Sequence, residues 1–296
     1  MKTTRWALLL VLVLGLFAAA CGDDEEEQPA GGGEPTAEAE QFPEDTTMGR
    51  IQAAGEIKIG VKYDVPPFGF KNPQNDQIEG FDVDLGRAIA DKLGVEPNFI
   101  EAISDNRIPF LQDGTVDLVL STMTINKERD QEIDFSEPYY IARGRILVPQ
   151  DSDITGIDSL AGRKVCTALG STYEETIKEQ APDADLRLVD SYSECLELVQ
   201  NGAVDAVSTD DVILTGMIIQ DDTLKLTEGE PLTTEPYGAG IKQGDRELKE
   251  FVDGVIEEYK SGGGWAEAYE KWVGQYTDEQ QDPPTMTLQE ALEATS

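Results

Sequence analysis

The chain contains no histidine. That absence removes every Ser–His and Cys–His nucleophilic pair and most zinc sites, because each depends on an imidazole. Bases are scarce as well: 23 Lys and Arg stand against 59 Asp and Glu, a formal net charge of -36. Nucleic-acid binding needs a basic footprint, so a nucleic-acid partner is not expected. So acidic a body also repels anionic lipid surfaces. Cysteine is nearly absent, with three residues at positions 21, 166 and 195. Beyond the first 20 residues no stretch is long and apolar enough to cross a bilayer.

What is present begins with a processing signal. Lys2 and Arg5 form a positive n-region, Ala7 to Phe17 an apolar h-region, and Ala18, Ala19 and Ala20 a small-residue cleavage site before Cys21. The run is short for a membrane span. A cysteine in that position resembles a lipoprotein box, in which Cys21 becomes the lipidated N-terminus and anchors the chain. Ala18 stands where Leu is more usual, and plain secretion with a spare cysteine is the alternative. Residues 21–49 then read as an acidic disordered tether, with Asp23 to Glu27, Gly31 to Gly33 and scattered proline. Once Cys21 is set aside, Cys166 and Cys195 form an even pair, which suggests a disulfide in an exported protein. A catalytic thiol is the competing reading, and the absence of His weakens it.

The body, from about Arg50 to Tyr276, alternates strand and helix, which argues for parallel α/β sheets. The first series runs through a strand at 56–62, an amphipathic helix at 82–93, strands at 95–102 and 116–120, and a helix at 106–112. The second has strands at 164–168, 186–190 and 204–208, with helices at 171–179 and 193–201. A last strand at 238–242 and two helices at 246–260 and 264–273 close it. The tail, 277–296, contains Asp282-Pro283-Pro284 and is expected to be loose, with a turn of helix near Leu288 to Ala294.

Polar clusters recur just beyond the strand ends, where open α/β sheets bind ligands. Lys62 follows the first strand. Ser121, Thr122 and Thr124 follow Val116–Leu120, with Arg129 in reach and Arg107 opening the helix upstream. Hydroxyls with a guanidinium outline a carboxylate receptor, since Arg presents a planar fork to two oxygens. Gly170-Ser171-Thr172 opens a helix, whose N–H groups attract anions. Asp210 ends the 204–208 strand and could take an ammonium group. Each has a plainer reading: a surface ion pair with Glu128 or Asp130 for Arg129, and helix capping for Ser171 and Asp210. Two facing sheets would gather all of them around one cleft.

Several ordered motifs carry a resemblance. They are Val65-Pro66-Pro67-Phe68, Gly80-Phe81-Asp82-Val83-Asp84-Leu85, the hydroxyl row with its Arg, Phe135 to Tyr140, the Gly-Ser-Thr turn, and Asp205 to Asp210. Together they resemble the polar amino-acid solute-binding proteins of ABC importers, bacterial extracellular solute-binding protein family 3, and within them the glutamate- and aspartate-binding lipoproteins. The resemblance implies a type II periplasmic-binding-protein-like fold. Its two α/β lobes would be 50–142 plus 241–276, and 143–240, around a cleft with two hinge crossings. It implies that Arg129 clamps the ligand α-carboxylate, with Thr122, Thr124 and Thr172 giving hydroxyl or backbone donors, and that Asp210 binds the α-ammonium. Ser121 and Ser171 belong to the same site. Lys62 and Arg107, with Ser104 and Tyr192, would choose the side chain.

Charge counting favours an acidic ligand. Lys62, Arg107 and Arg129 oppose Asp210 alone, so a neutral amino acid would leave a buried cation unpaired. The expected ligand is therefore glutamate or aspartate, captured by hinge closure near Ile141–Arg145 and Tyr237–Ile241, where Gly144, Gly238 and Gly240 could absorb the backbone change. The closed form would dock on an ABC permease and, through it, an ATPase. The expected protein is a monomer, lipid-anchored on the extracytoplasmic face of a bacterial membrane, with no catalytic residue, metal or cofactor. A sensor reporting to a membrane kinase and a dehydratase on the same fold are the alternatives.

Overall fold

The architecture is that of a computed structural model, which describes residues 40–277 and 280–295. The signal segment, Cys21 and most of the expected tether lie outside the described residues. The first sheet has the order Glu96–Glu101, Glu56–Val61, Leu118–Val119, Gly240–Lys242, Ile133–Phe135. Its first three strands are parallel and its last two antiparallel to their neighbours. Ile57, Ile59 and Val61, alternate residues on one face of the second strand, are fully buried. The helix Phe81–Leu93 packs Val83, Leu85, Ile89, Ala90 and Leu93 onto this core at helical spacing. It stops where Gly94 turns left-handed.

The second sheet has the order Asp185–Val189, Lys164–Ala168, Ala206–Asp210, Tyr140–Pro149, Leu224–Leu226. Cys166, on its second strand, is disulfide-bonded to Cys195 in the helix Tyr192–Gln200, with Cα atoms 5.6 Å apart. The strand–helix order thus builds two α/β lobes of the type II binding-protein kind.

Two strands carry the chain between the lobes, side by side. Thr234–Tyr237 pairs antiparallel with the start of Tyr140–Pro149, Tyr237 opposite Tyr140 and Glu235 opposite Ala142. Further along, the same long strand pairs with Ala206–Asp210, Gly144 opposite Asp210. Gly144 is explained here by close approach: a Cβ would collide with the Thr233 hydroxyl and lie 2.9 Å from the Tyr173 ring.

The chain orders earlier and later than its composition suggests. A helix, Thr47–Ala54, capped by the Thr46 hydroxyl, buries Met48 and Ile51, and Phe42 packs edge-on to Phe251. The tether therefore does not extend to residue 49: polar composition concealed a few apolar anchors. In the tail, the helix expected near Leu288 to Ala294 is present, and it is packed rather than loose. The helix Leu288–Ala294 carries a Thr287–Glu290 capping box and buries Ala291 against the Leu111, Met123 and Phe135 cluster.

Candidate functional site

The lobe-1 wall starts where the strand Leu118–Val119 ends. Thr122 sits at φ +44°, a left-handed conformation that a β-branched residue adopts only under constraint. The constraint is Asp82. Its carboxylate accepts the Thr122 backbone N–H at 2.8 Å and the Tyr139 hydroxyl at 2.8 Å. Burial pushes the Asp82 carboxyl up to about 7, against those two hydrogen bonds. The Gly-Phe-Asp motif therefore shapes the cavity wall from behind.

Arg107 opens the helix Arg107–Asp113 and is buried. Its Nε donates to Ser104 O at 3.1 Å, and Nη1 to Ser121 O at 3.0 Å and Thr122 O at 3.2 Å. Burial, and then the nearby Arg129 charge, lower its pKa to about 9. Lys62 donates to Ser104 Oγ at 2.9 Å and lies 5.8 Å from the centre of the Tyr192 ring in the opposite lobe. Burial, reinforced by Arg107, lowers the Lys62 ammonium to about 7.

The lobe-2 wall is the turn before the helix Thr172–Gln180. Gly170 has φ +73°, and a Cβ there would lie 2.7 Å from Asp105 Cα in lobe 1. Only glycine permits that approach. It brings Gly170 O within reach of both guanidiniums, at 3.3 Å from Arg107 Nη2 and 3.0 Å from Arg129 Nη2. Arg129 also donates from Nη1 to Thr124 O at 2.8 Å. Asp210, the last residue of its strand and N-cap of the helix Asp211–Gln220, accepts the Tyr173 hydroxyl at 2.7 Å. Burial, and then the neighbouring Glu235 charge, push its carboxyl up to about 8.

One cavity gathers nine of the expected residues: Ser104, Arg107, Thr122, Thr124, Arg129, Ser171, Thr172, Tyr192 and Asp210. Lys62 lies just behind this wall, joined to it through Ser104. Ser121 is not part of it. Its hydroxyl turns back to donate to Ala102 O at 2.7 Å, because alternate residues leaving a strand face opposite sides.

Sequence reasoning missed Tyr173, which also lines the cavity, and Asp82 and Glu235, which flank it. Glu235 changes the expected donors. Its Oε2 accepts the Thr124 hydroxyl at 2.6 Å and the Thr172 hydroxyl at 3.0 Å. Each hydroxyl has one proton, so in this arrangement neither hydroxyl is free to donate to a ligand.

The chain has known relatives. Residues 57–275 match the bacterial extracellular solute-binding proteins, family 3. The ABC transporter glutamine-binding protein GlnH of Bacillus subtilis is 38% identical over 269 residues, 88% of this chain and 95% of that protein. The glutamate-binding protein GluB of Corynebacterium glutamicum is 35% identical over 217 residues, 69% of this chain and 73% of that protein. Among solved structures, an ancestral arginine-binding protein bound to glutamine superposes with a TM-score of 0.71 at 38% identity, covering 74% of this chain and 98% of that one. Fold and sequence agree: the chain belongs to the bacterial extracellular solute-binding proteins, family 3.

Proposed function

We propose that the protein is the substrate-binding component of an ABC amino-acid importer and that its cleft captures an amino acid of the glutamine and glutamate class. The observation that carries this reading is a buried guanidinium and a buried carboxyl, Arg129 from lobe 1 and Asp210 from lobe 2, on the walls of one cavity. An α-amino acid presents the complementary pair. Its carboxylate would replace Gly170 O at Arg129 and take the Thr122 hydroxyl, with backbone N–H groups at Thr124 and the start of the Thr172–Gln180 helix. Its ammonium would pair with Asp210. Lys62, Ser104, Arg107 and Tyr192 would meet the polar end of the side chain. Both lobes contribute contacts, so binding favours closure about the two crossing strands.

The charge sum now points to the amide. Lys62 and Asp82 both change protonation near pH 7, so at that pH each is about half ionised and their charges offset. Once the ligand ammonium has ionised Asp210, Arg107 and Arg129 are balanced by Asp210 and Glu235, which leaves a neutral zwitterion such as glutamine best matched. Glutamate is the second reading, favoured by Lys62 lying beside Ser104 at the side-chain end. The glutamine- and glutamate-binding relatives support one choice each. The rest follows the family: a permease as partner, with Cys21 as a lipid anchor on the extracytoplasmic face. Lobe 1 is assigned to 50–142 and 241–276, lobe 2 to 143–240.

The test is a thermal-shift screen of the mature protein against the common amino acids. At 100-fold excess over Kd, glutamine or glutamate is expected to stabilise by about 2.7 kcal/mol. A flat response to glutamine, glutamate, asparagine and aspartate would sink the proposal.

A further inference from the structure

We propose that Glu235 is a specificity-determining residue: held between the lobes by one hydroxyl from each, it biases the cavity toward an amino acid with an uncharged side chain. The inference rests on the reading of the cleft as an amino-acid site, and deepens it.

Glu235 lies on the crossing strand Thr234–Tyr237 and is 2% exposed. A buried carboxylate is costly unless compensated. The compensation comes from Thr124 of lobe 1 and Thr172 of lobe 2, both donating to the same oxygen, Oε2. The residue bonded to each is remote in sequence, 111 and 63 positions away. The carboxylate is therefore seated fully only when the lobes meet.

Its charge reaches the ligand-facing groups on both sides. Glu235 is the strongest of the charges that hold Arg129 protonated against its burial, and the strongest of those that oppose ionisation of Asp210. It thus offsets one of the two cavity guanidiniums and removes two hydroxyl protons that an anion could have used. A second ligand carboxylate would enter a cavity that already holds its quota of negative charge. Across a few residue widths at an effective dielectric of about 20, one like charge weakens binding by roughly tenfold.

Calorimetric titration of the full mature protein with glutamine and with glutamate tests this. The readout is the ratio of the two dissociation constants. Glu235→Gln keeps the shape and removes the charge, and is expected to move the ratio toward glutamate by roughly tenfold. Glu235→Asp keeps the charge but shortens the reach to the hydroxyls, and is expected to weaken both ligands while holding the ratio within about twofold. An unchanged ratio in Glu235→Gln overturns the inference, as does a Glu235→Asp ratio that shifts like that of Glu235→Gln. If Glu235→Gln does not fold, Glu235→Asp with Thr172→Val, which removes one seat and no charge, carries the test: a shift in the ratio in either overturns it. Failure of the unaltered protein to bind either amino acid overturns the reading of the cleft itself, and is thereby distinguished from failure of the role of Glu235.

Discussion

Ligand capture is expected to release a proton. Asp210 is the group responsible: burial and the adjacent Glu235 hold its carboxyl up near pH 8, with the Tyr173 hydroxyl opposing. At pH 7 such a group is about nine-tenths protonated. An ammonium brought against it restores the ionised form, so close to one proton leaves for each glutamine bound. Apparent affinity should then rise with pH, approaching about tenfold per unit below pH 7 and levelling off above pH 8. Glutamate should release fewer. Lys62 sits near pH 7 in the unliganded cavity, and a side-chain carboxylate drawn to it would take up about half a proton at that pH. The assay is calorimetry at pH 7 in buffers of low and high ionisation enthalpy, where the dependence of observed heat on buffer enthalpy counts protons. Release of about one proton for glutamine, and about half of one fewer for glutamate, is the expected pair of results. Proton uptake with glutamine, or no exchange, would refute the assignment of Asp210 as the ammonium partner.

Four further outcomes follow from contacts in the cleft and in the body. Arg129→Ala should weaken glutamine and glutamate alike by at least about 100-fold, since a buried carboxylate loses its charge partner, whereas Lys62→Met should weaken glutamate more than glutamine in the same titrations. Replacing Cys166 and Cys195 together by Ser opens a loop of sequence separation 29 and should lower stability by about 3–4 kcal/mol in a urea melt; no change would show that the bridge does not constrain the unfolded chain. Truncation after Tyr276 strips Leu288, Ala291 and Leu292 from the face formed by Leu111, Met123 and Phe135. That should cost about 3 kcal/mol in unfolding free energy, and an unchanged melting temperature would contradict the packing.

The legible and illegible parts of the site differ in range. Helix boundaries were readable because their signals are local. Gly114 in the left-handed region ends the Arg107–Asp113 helix, and Ser191, accepting the Glu194 N–H, caps the helix Tyr192–Gln200. The turn at Gly170 and the hydroxyls after Leu118–Val119 follow from strand–helix order and reach the cavity as expected. Side-chain direction was less legible. Ser121 and Thr122 are neighbours, yet one faces Ala102 and the other the cavity. Charges with distant partners were not legible at all. Glu235 among 59 acids carries no local mark, and its seat depends on threonines 111 and 63 residues away. Asp82 stood inside a quoted motif, but its hold on Thr122 spans 40 residues. A charge sum over Lys62, Arg107, Arg129 and Asp210 omits these two carboxylates, because nothing local in the sequence marks them as neighbours of the cavity.

The most direct test of the central claim is a crystal structure of the protein with glutamine bound. The account predicts the α-carboxylate on Arg129, the ammonium on Asp210 and the side-chain amide beside Lys62 and Arg107, with Glu235 still holding Thr124 and Thr172. A ligand seated outside this cleft, or one with its α-carboxylate on Lys62 and its ammonium away from Asp210, would contradict it.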